Sequence, residues 1–311
     1  MRIEYLSLAI LSSAFYGSQF VPQKYCQKFS HELYNISMNF GIIFISSIFF
    51  ILFLKIGFGL DGYLDIISGL IGIASGVVWV IGNRFLLVSV ENSGMGRSFT
   101  IINMVSVVTY LGGVIFLGEL SSLSQREVAI SGLGVLLVTF GSMLVTFTST
   151  KDETGSKVKY GMIFAFLSSF FFGASNLLIV VAMNILHLPF TYTFFFVGLG
   201  AFLGMVLTTF LKLENIKNWK RVPKEWHAFA FSSGILWGLG DVFGVLSIKN
   251  VGGSIGVPIL QGGMTLISAA WGLGVFREFK SGDKDEFKGM IWKFLVGIII
   301  TLSGVWALAQ I

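Results

Sequence analysis

The chain alternates between long apolar runs and short polar breaks. Ten runs lie near 3–20, 36–57, 64–88, 95–118, 126–148, 158–181, 189–211, 226–248, 255–276 and 288–309. A helix needs about 20 mainly apolar residues to cross the hydrocarbon layer of a bilayer. None of the runs shows the alternation of a strand, and all are too long for the strands of a barrel, so each is read as a spanning helix. The polar stretch Lys151-Asp-Glu-Thr-Gly-Ser-Lys157 separates five runs from five. This predicts an all-α integral membrane protein with one five-helix unit over 1–150, a cytoplasmic linker over 151–157 and a second unit over 158–311.

The two units are copies. Leu-Ser-Ser-Ala-Phe-Tyr-Gly at 11–17 returns as Leu-Ser-Ser-Phe-Phe-Phe-Gly at 167–173, and Trp79-x-x-Gly82-Asn83 returns as Trp237-x-x-Gly240-Asp241. Glu119 ends one run as Glu278 ends another, so the three offsets are 156, 158 and 159 residues. An odd number of helices per copy makes the second copy enter the membrane upside down, giving two inverted five-helix repeats. Such doubling is how transporters expose one site to two sides in turn. Glu119 and Glu278 then close equivalent helices on opposite faces, either as a gating pair or as markers of helix ends at the headgroups. The first run, with Arg2 ahead of it, has the look of a signal peptide. Its partner at 167–173 lies deep in the chain, so the first helix is expected to stay.

Composition agrees with a bilayer and narrows the function. The chain is 54% hydrophobic and 12% charged, and a water-soluble domain carries about twice that charge. The net charge of +5 is a topology signal and no sign of nucleic acid: alternating sides along the helices puts 17 of the 21 basic residues on one side. That side is cytoplasmic by the positive-inside rule, so both termini are expected on the non-cytoplasmic side, in a plasma membrane. Cys26 is the only cysteine, which excludes disulfide frameworks and cysteine metal sites. No metal spacing appears around His31, His187 or His227, and no nucleophile or phosphate motif stands in a suitable context. Neither cofactor nor catalytic site is expected. The internal repeat makes a functional monomer sufficient, with a homodimer as the alternative.

Polar groups in mid-membrane are costly, so they mark sites. Asp241 lies about four residues past the centre of its helix, roughly 6 Å from the midplane at 1.5 Å per residue, and no other acidic residue is so deep. A carboxylate there can bind and release a proton, or accept hydrogen bonds from a hydroxylated solute. Asn83 is its repeat mate, and Trp79 and Trp237 lie one turn away. An indole face flanked by an amide and a carboxylate suits a sugar, although packing between helices would use the same tryptophans. Pro258 frees a backbone carbonyl just before Gln261, and a break there would line a cavity. Gln19, Asn176 and Gln261 complete the substrate-binding candidates. Serines of the first and sixth helices are expected to satisfy local carbonyls, and Arg84 and Arg97 to snorkel to headgroups. Pairs such as Gly72/Gly76, Gly200/Gly204, Gly234/Gly238 and Gly240/Gly244 put small residues on one helix face for close packing.

Five plus five helices with Gly118-Glu119 closing the fourth resemble the drug/metabolite transporter superfamily. Pro258-x-x-Gln-Gly-Gly, followed by Trp271-Gly-Leu-Gly-Val-Phe-Arg-Glu278-Phe-Lys280, is similar to its glucose/ribose porter branch. The resemblance implies sugar import, with protons as the coupling partner. The family often carries a proline in the fourth helix as well as the ninth; residues 95–118 have none, which implies that the halves bend differently. The expectation is thus a secondary active transporter for a small polar solute, a monosaccharide first, coupled to protons through Asp241. Export of a metabolite or an amphipathic cation is the alternative.

Overall fold

The computed structural model describes residues 3–26, 29–93, 95–146, 156–210, 213–276 and 284–311. Among them there is no strand. The first half contains α1 (Ile3–Ser18), α2 (His31–Ile56), α3 (Ile66–Ser93), α4 (Met95–Ile102), α5 (Val105–Phe116) and α6 (Gln125–Thr146). The second contains α7 (Ser156–Val180), α8 (Phe190–Met205), a short amphipathic α9 (Leu213–Lys220), α10 (Lys224–Val251), α11 (Gly253–Gly274) and α12 (Lys284–Ala309). Nine helical spans of the described residues are long and apolar enough to cross a membrane, with α4 and α5 forming one of them. The exception is α1, whose 16 residues reach about 24 Å at 1.5 Å per residue. The chain continues from it through a turn into the 3-10 turn Pro22–Tyr25. Most of the linker, and Glu278 with its neighbours, lie outside the described residues.

Helix ends are set locally. Asp65 Oδ1 accepts from Ile67 N at 2.7 Å and Ser68 N at 3.0 Å, opening α3. Ser124 and Glu127 form a reciprocal capping box at α6. α2 stops at Gly57, whose left-handed φ of 67° favours glycine. Polarity then runs opposite to that of a soluble protein. Phe116, Trp292 and Trp306 are 81, 69 and 67% exposed, whereas Asn39, Ser75, Thr109 and Ser168 are buried. Apolar surface of this kind suits lipid, with the polar groups gathered inside.

Residues one repeat apart make the same contacts. On α2 and α10, a Cβ at Gly234 would meet Met38 O, and one at Gly41 would meet Phe231 O. On α3 and α8, Gly76 would meet Val197 O and Gly200 would meet Ile73 O. These mates are 158 or 159 apart, and at each crossing two backbones touch where no side chain fits. Ser12 Oγ donates to Gly240 O at 2.6 Å, and Ser168 Oγ to Gly82 O at 2.7 Å. Ser13 reaches Leu260 O at 3.1 Å as Ser169 reaches Ile101 O at 3.0 Å. These serines therefore bridge helices, while Ser13 and Ser169 also satisfy the local carbonyls of Ala9 and Ala165 as expected.

The bend is the other departure. α11 runs unbroken through Pro258, whose missing N–H would have reached Ser254, only the second residue of the helix. The interruption falls between α4 and α5, at Asn103 and Met104, in the run without a proline. There Asn103 Oδ1 accepts from Gln261 Nε2 at 3.1 Å and Thr265 Oγ1 at 3.0 Å. A side chain committed to a neighbouring helix replaces proline as the cause of the break.

Candidate functional site

At the place where the two halves meet, α1, α3, α7, α10 and α11 surround a cavity of about 120 Å³, with side chains from α2, α4, α5 and α8 completing its wall. Trp79, Asn83, Trp237, Asp241, Gln261, Gln19 and Asn176 all line it. Seven residues chosen along 243 positions of sequence are thus brought to one space.

The floor is the tryptophan pair. Trp79 and Trp237 are repeat mates, and their ring centroids lie 4.6 Å apart. Each also meets an aromatic from the helix that starts the other half: Tyr16 packs on Trp237 at 6.1 Å, and its mate Phe172 on Trp79 at 6.0 Å. The seats are cut by glycine, since a Cβ at Gly240 would strike the Tyr16 ring and one at Gly82 the Phe172 ring. The tryptophans therefore pack between helices and also line the cavity.

Polar groups sit to either side of that floor. Tyr16 Oη donates to Asp241 Oδ1 at 2.9 Å. Asp241 is only 4% exposed, and its Oδ2 has no partner. Asn83 Nδ2 donates to Asn35 Oδ1 at 2.9 Å. Gln261 is tied to Asn103, its own mate at an offset of 158. Tyr16, Asn35 and Asn103 were not among the expected site residues. The signal for two of them was present: Tyr16 faces Phe172 in the repeated heptapeptide, and Asn103 faces Gln261 at the repeat offset.

Glu119 lies elsewhere. Its carboxylate accepts from Gly253 N and Ser254 N, both at 2.7 Å, and from Ser254 Oγ at 2.5 Å. It thereby fastens the end of α5 to the start of α11, where a helix N-terminus favours negative charge. It borders a second recess of about 730 Å³ with Asn184, Lys249 and Asn250, separate from the central cavity. Glu278, its expected counterpart, lies outside the described residues, as does the side chain of Arg97. Arg84 donates to Thr208 O at 2.7 Å and pairs with Glu32 at 3.5 Å, so it is held by protein groups.

A family model described as "Sugar transport protein" matches residues 38–148 and 70–311. The chain belongs to the sugar transport protein family. Two relatives illustrate the likeness. A "Putative sugar uptake protein" of Bacillus cereus is 26% identical over 237 residues, covering 74% of this chain and 75% of the relative. "Glucose uptake protein GlcU" of Staphylococcus xylosus is 26% identical over 239 residues, covering 76% of this chain and 77% of the relative. A solved crystal structure superposes with a TM-score of 0.69 over 99% of this chain and 96% of its own, at 12% identity. That likeness is one of fold. Family membership makes the chain a multi-pass membrane protein of sugar transport, and places it among transport proteins, apart from enzymes.

Proposed function

We propose that this member of the family is a secondary active transporter that moves a monosaccharide across the plasma membrane by alternating access, with a proton carried on Asp241. The observation that carries the reading is the convergence of all seven sequence-selected residues on one buried cavity between the halves. Relatives named for glucose uptake favour a sugar, and favour import over export of a metabolite or cation. In this reading the apolar face of the sugar lies on the Trp79–Trp237 pair. Its hydroxyls donate to Asn83, Gln261 and the unpartnered Oδ2 of Asp241.

The matched contacts at 156–159 residues support two inverted five-helix repeats, with the short α1 as a tenth crossing. The close crossings at Gly41/Gly234 and Gly76/Gly200 leave backbones free of interlocking side chains, a geometry in which helices can rock. Opening on one face then requires releasing Glu119 from α11, and opening on the other involves the equivalent end at Glu278. The 17-to-4 division of basic residues supports termini outside the cell. One chain holds the whole cavity, which supports a functional monomer.

The test is uptake of labelled sugars into proteoliposomes, with and without an inward proton gradient. Accumulation of a monosaccharide driven by the gradient is expected; no sugar moved under any gradient sinks the reading. In Asp241→Asn, gradient-driven accumulation should fall at least about tenfold, the loss of roughly 1.4 kcal/mol of coupling. Full accumulation in that variant removes Asp241 from proton coupling. A reporter that is active in the cytoplasm when fused to the C-terminus refutes the outside termini.

A further inference from the structure

The cavity has a sign. Its polar groups that are oriented by a neighbour each keep an oxygen able to accept from a ligand. Asn83 Nδ2 donates one of its two hydrogens to Asn35 Oδ1 at 2.9 Å, an oxygen that also accepts from Asn39 Nδ2 at 3.0 Å, and Asn83 Oδ1 is left to accept from a ligand. Gln261 Nε2 donates one of its two hydrogens to Asn103 Oδ1 at 3.1 Å, and its Oε1 is left to accept. Ser175 gives its hydrogen to the Ser75 hydroxyl or carbonyl. Asp241 is held at Oδ1 by Tyr16, while its Oδ2 is buried without a partner, and Gln19 adds a buried, unpartnered Oε1. Among the described residues no lysine, arginine or histidine lines this space, and the rings of Tyr16, Trp79 and Trp237 line it together with those of Phe20, Phe99 and Phe172.

We infer that the cavity selects its solutes by charge: it takes hydroxylated solutes that are neutral or carry an ammonium group, favours the amine-bearing ones, and rejects sugar acids and sugar phosphates. The inference rests on the proposed sugar transport and names the substrate class more narrowly. An ammonium group brings three donors and no acceptor to a ring of oxygens. It makes a charge-assisted hydrogen bond with the free oxygen of Asp241, beside aromatic faces that attract cations. A carboxylate or phosphate meets the same oxygens with no counter-charge, and is left buried and unpaired.

The experiment is equilibrium displacement of labelled D-glucose from the purified full-length chain by D-glucosamine, D-glucuronate and glucose 6-phosphate. Glucosamine should displace at about tenfold lower concentration than unlabelled glucose, and the two anions should need at least about a hundredfold more than glucosamine. Glucuronate displacing as well as glucosamine overturns the inference from the native protein alone, whether or not any variant folds. In Asp241→Asn the advantage of glucosamine over glucose should vanish; an advantage that persists also overturns it. Glucose bound without discrimination by charge defeats this inference only. Failure of both glucose and glucosamine to bind defeats it together with the sugar reading.

Discussion

The two halves build the same scaffold around the cavity and then disagree at its surface. Glycine crossings, serine bridges and the aromatic contact on each tryptophan occur twice, in residues 156–159 apart. Apart from the tryptophans, mates that face the cavity differ in chemistry. Tyr16 and Asp241 form a hydrogen-bonded pair, and their mates Phe172 and Asn83 cannot form it. Phe20 and Phe99 meet edge to face at 4.9 Å, whereas their mates are Asn176 and Val257, which cannot stack. Repeated positions thus carry architecture, and unmatched positions carry the candidate chemistry. A cavity between matched halves would be alike on both sides; the broken pairs make it asymmetric.

The largest effects should come from breaking what the halves share. Gly200→Leu and Gly234→Leu each drive a side chain into backbone across a crossing, at a cost of about 3 kcal/mol or more. Both should lose most of the monodisperse protein on size exclusion. Sensitivity in one half alone would end the equivalence of the two scaffolds.

Next comes the bend, where the halves differ. Asn103→Ala leaves Gln261 Nε2 without its acceptor and Thr265 Oγ1 with only Gln261 O, and should cost about 1–3 kcal/mol in thermal unfolding. Pro258→Ala, in a helix already continuous, should change stability by less than about 1 kcal/mol. The reverse order would restore proline as the source of the bend. Phe20→Asn copies Asn176 into the first half and should raise gradient-independent exchange of labelled glucose several-fold. Unchanged exchange would show that the aromatic pair does not close that end.

The smallest effect concerns the helix starts. Asp65 caps α3, while its mate Pro223 begins α10 with no side-chain cap. Hydrogen bonds from the Ser68 backbone and side chain hold the Asp65 carboxyl below the usual carboxylate range. A carboxyl lowered on folding stabilises the fold above its unfolded-state range and loses that contribution as pH falls. Asp65→Ala should therefore lower the melting temperature at neutral pH by no more than about 2 °C. The gap to the native protein should close on acidification; a gap that widens at low pH contradicts the sign.

Much of this was legible in the residues because it is local or periodic. Run length predicts spans, and nine of the described helices meet it; α1 falls short because its helix stops at Ser18 and turns. Depth along a run marked Asp241, and the repeat offset led from it to Asn83 and the tryptophans. The bend was misjudged because proline was weighed as a local breaker. Whether its missing hydrogen bond matters depends on its place in the helix, and Asn103 breaks its own helix through partners 158 and 162 residues away.

By itself the sequence determined an all-helical membrane chain, its doubling, its charge bias and the short set of polar residues with a reason to lie deep. Apolar runs and internal similarity are properties of the chain alone, and lipid enforces them without regard to partners. Only the tertiary structure decided which oxygen each amide shows the cavity, that Tyr16 holds Asp241, and that Glu119 fastens α5 to α11. Each of those depends on which atoms of one half come within hydrogen-bond distance of another helix, and packing sets that distance.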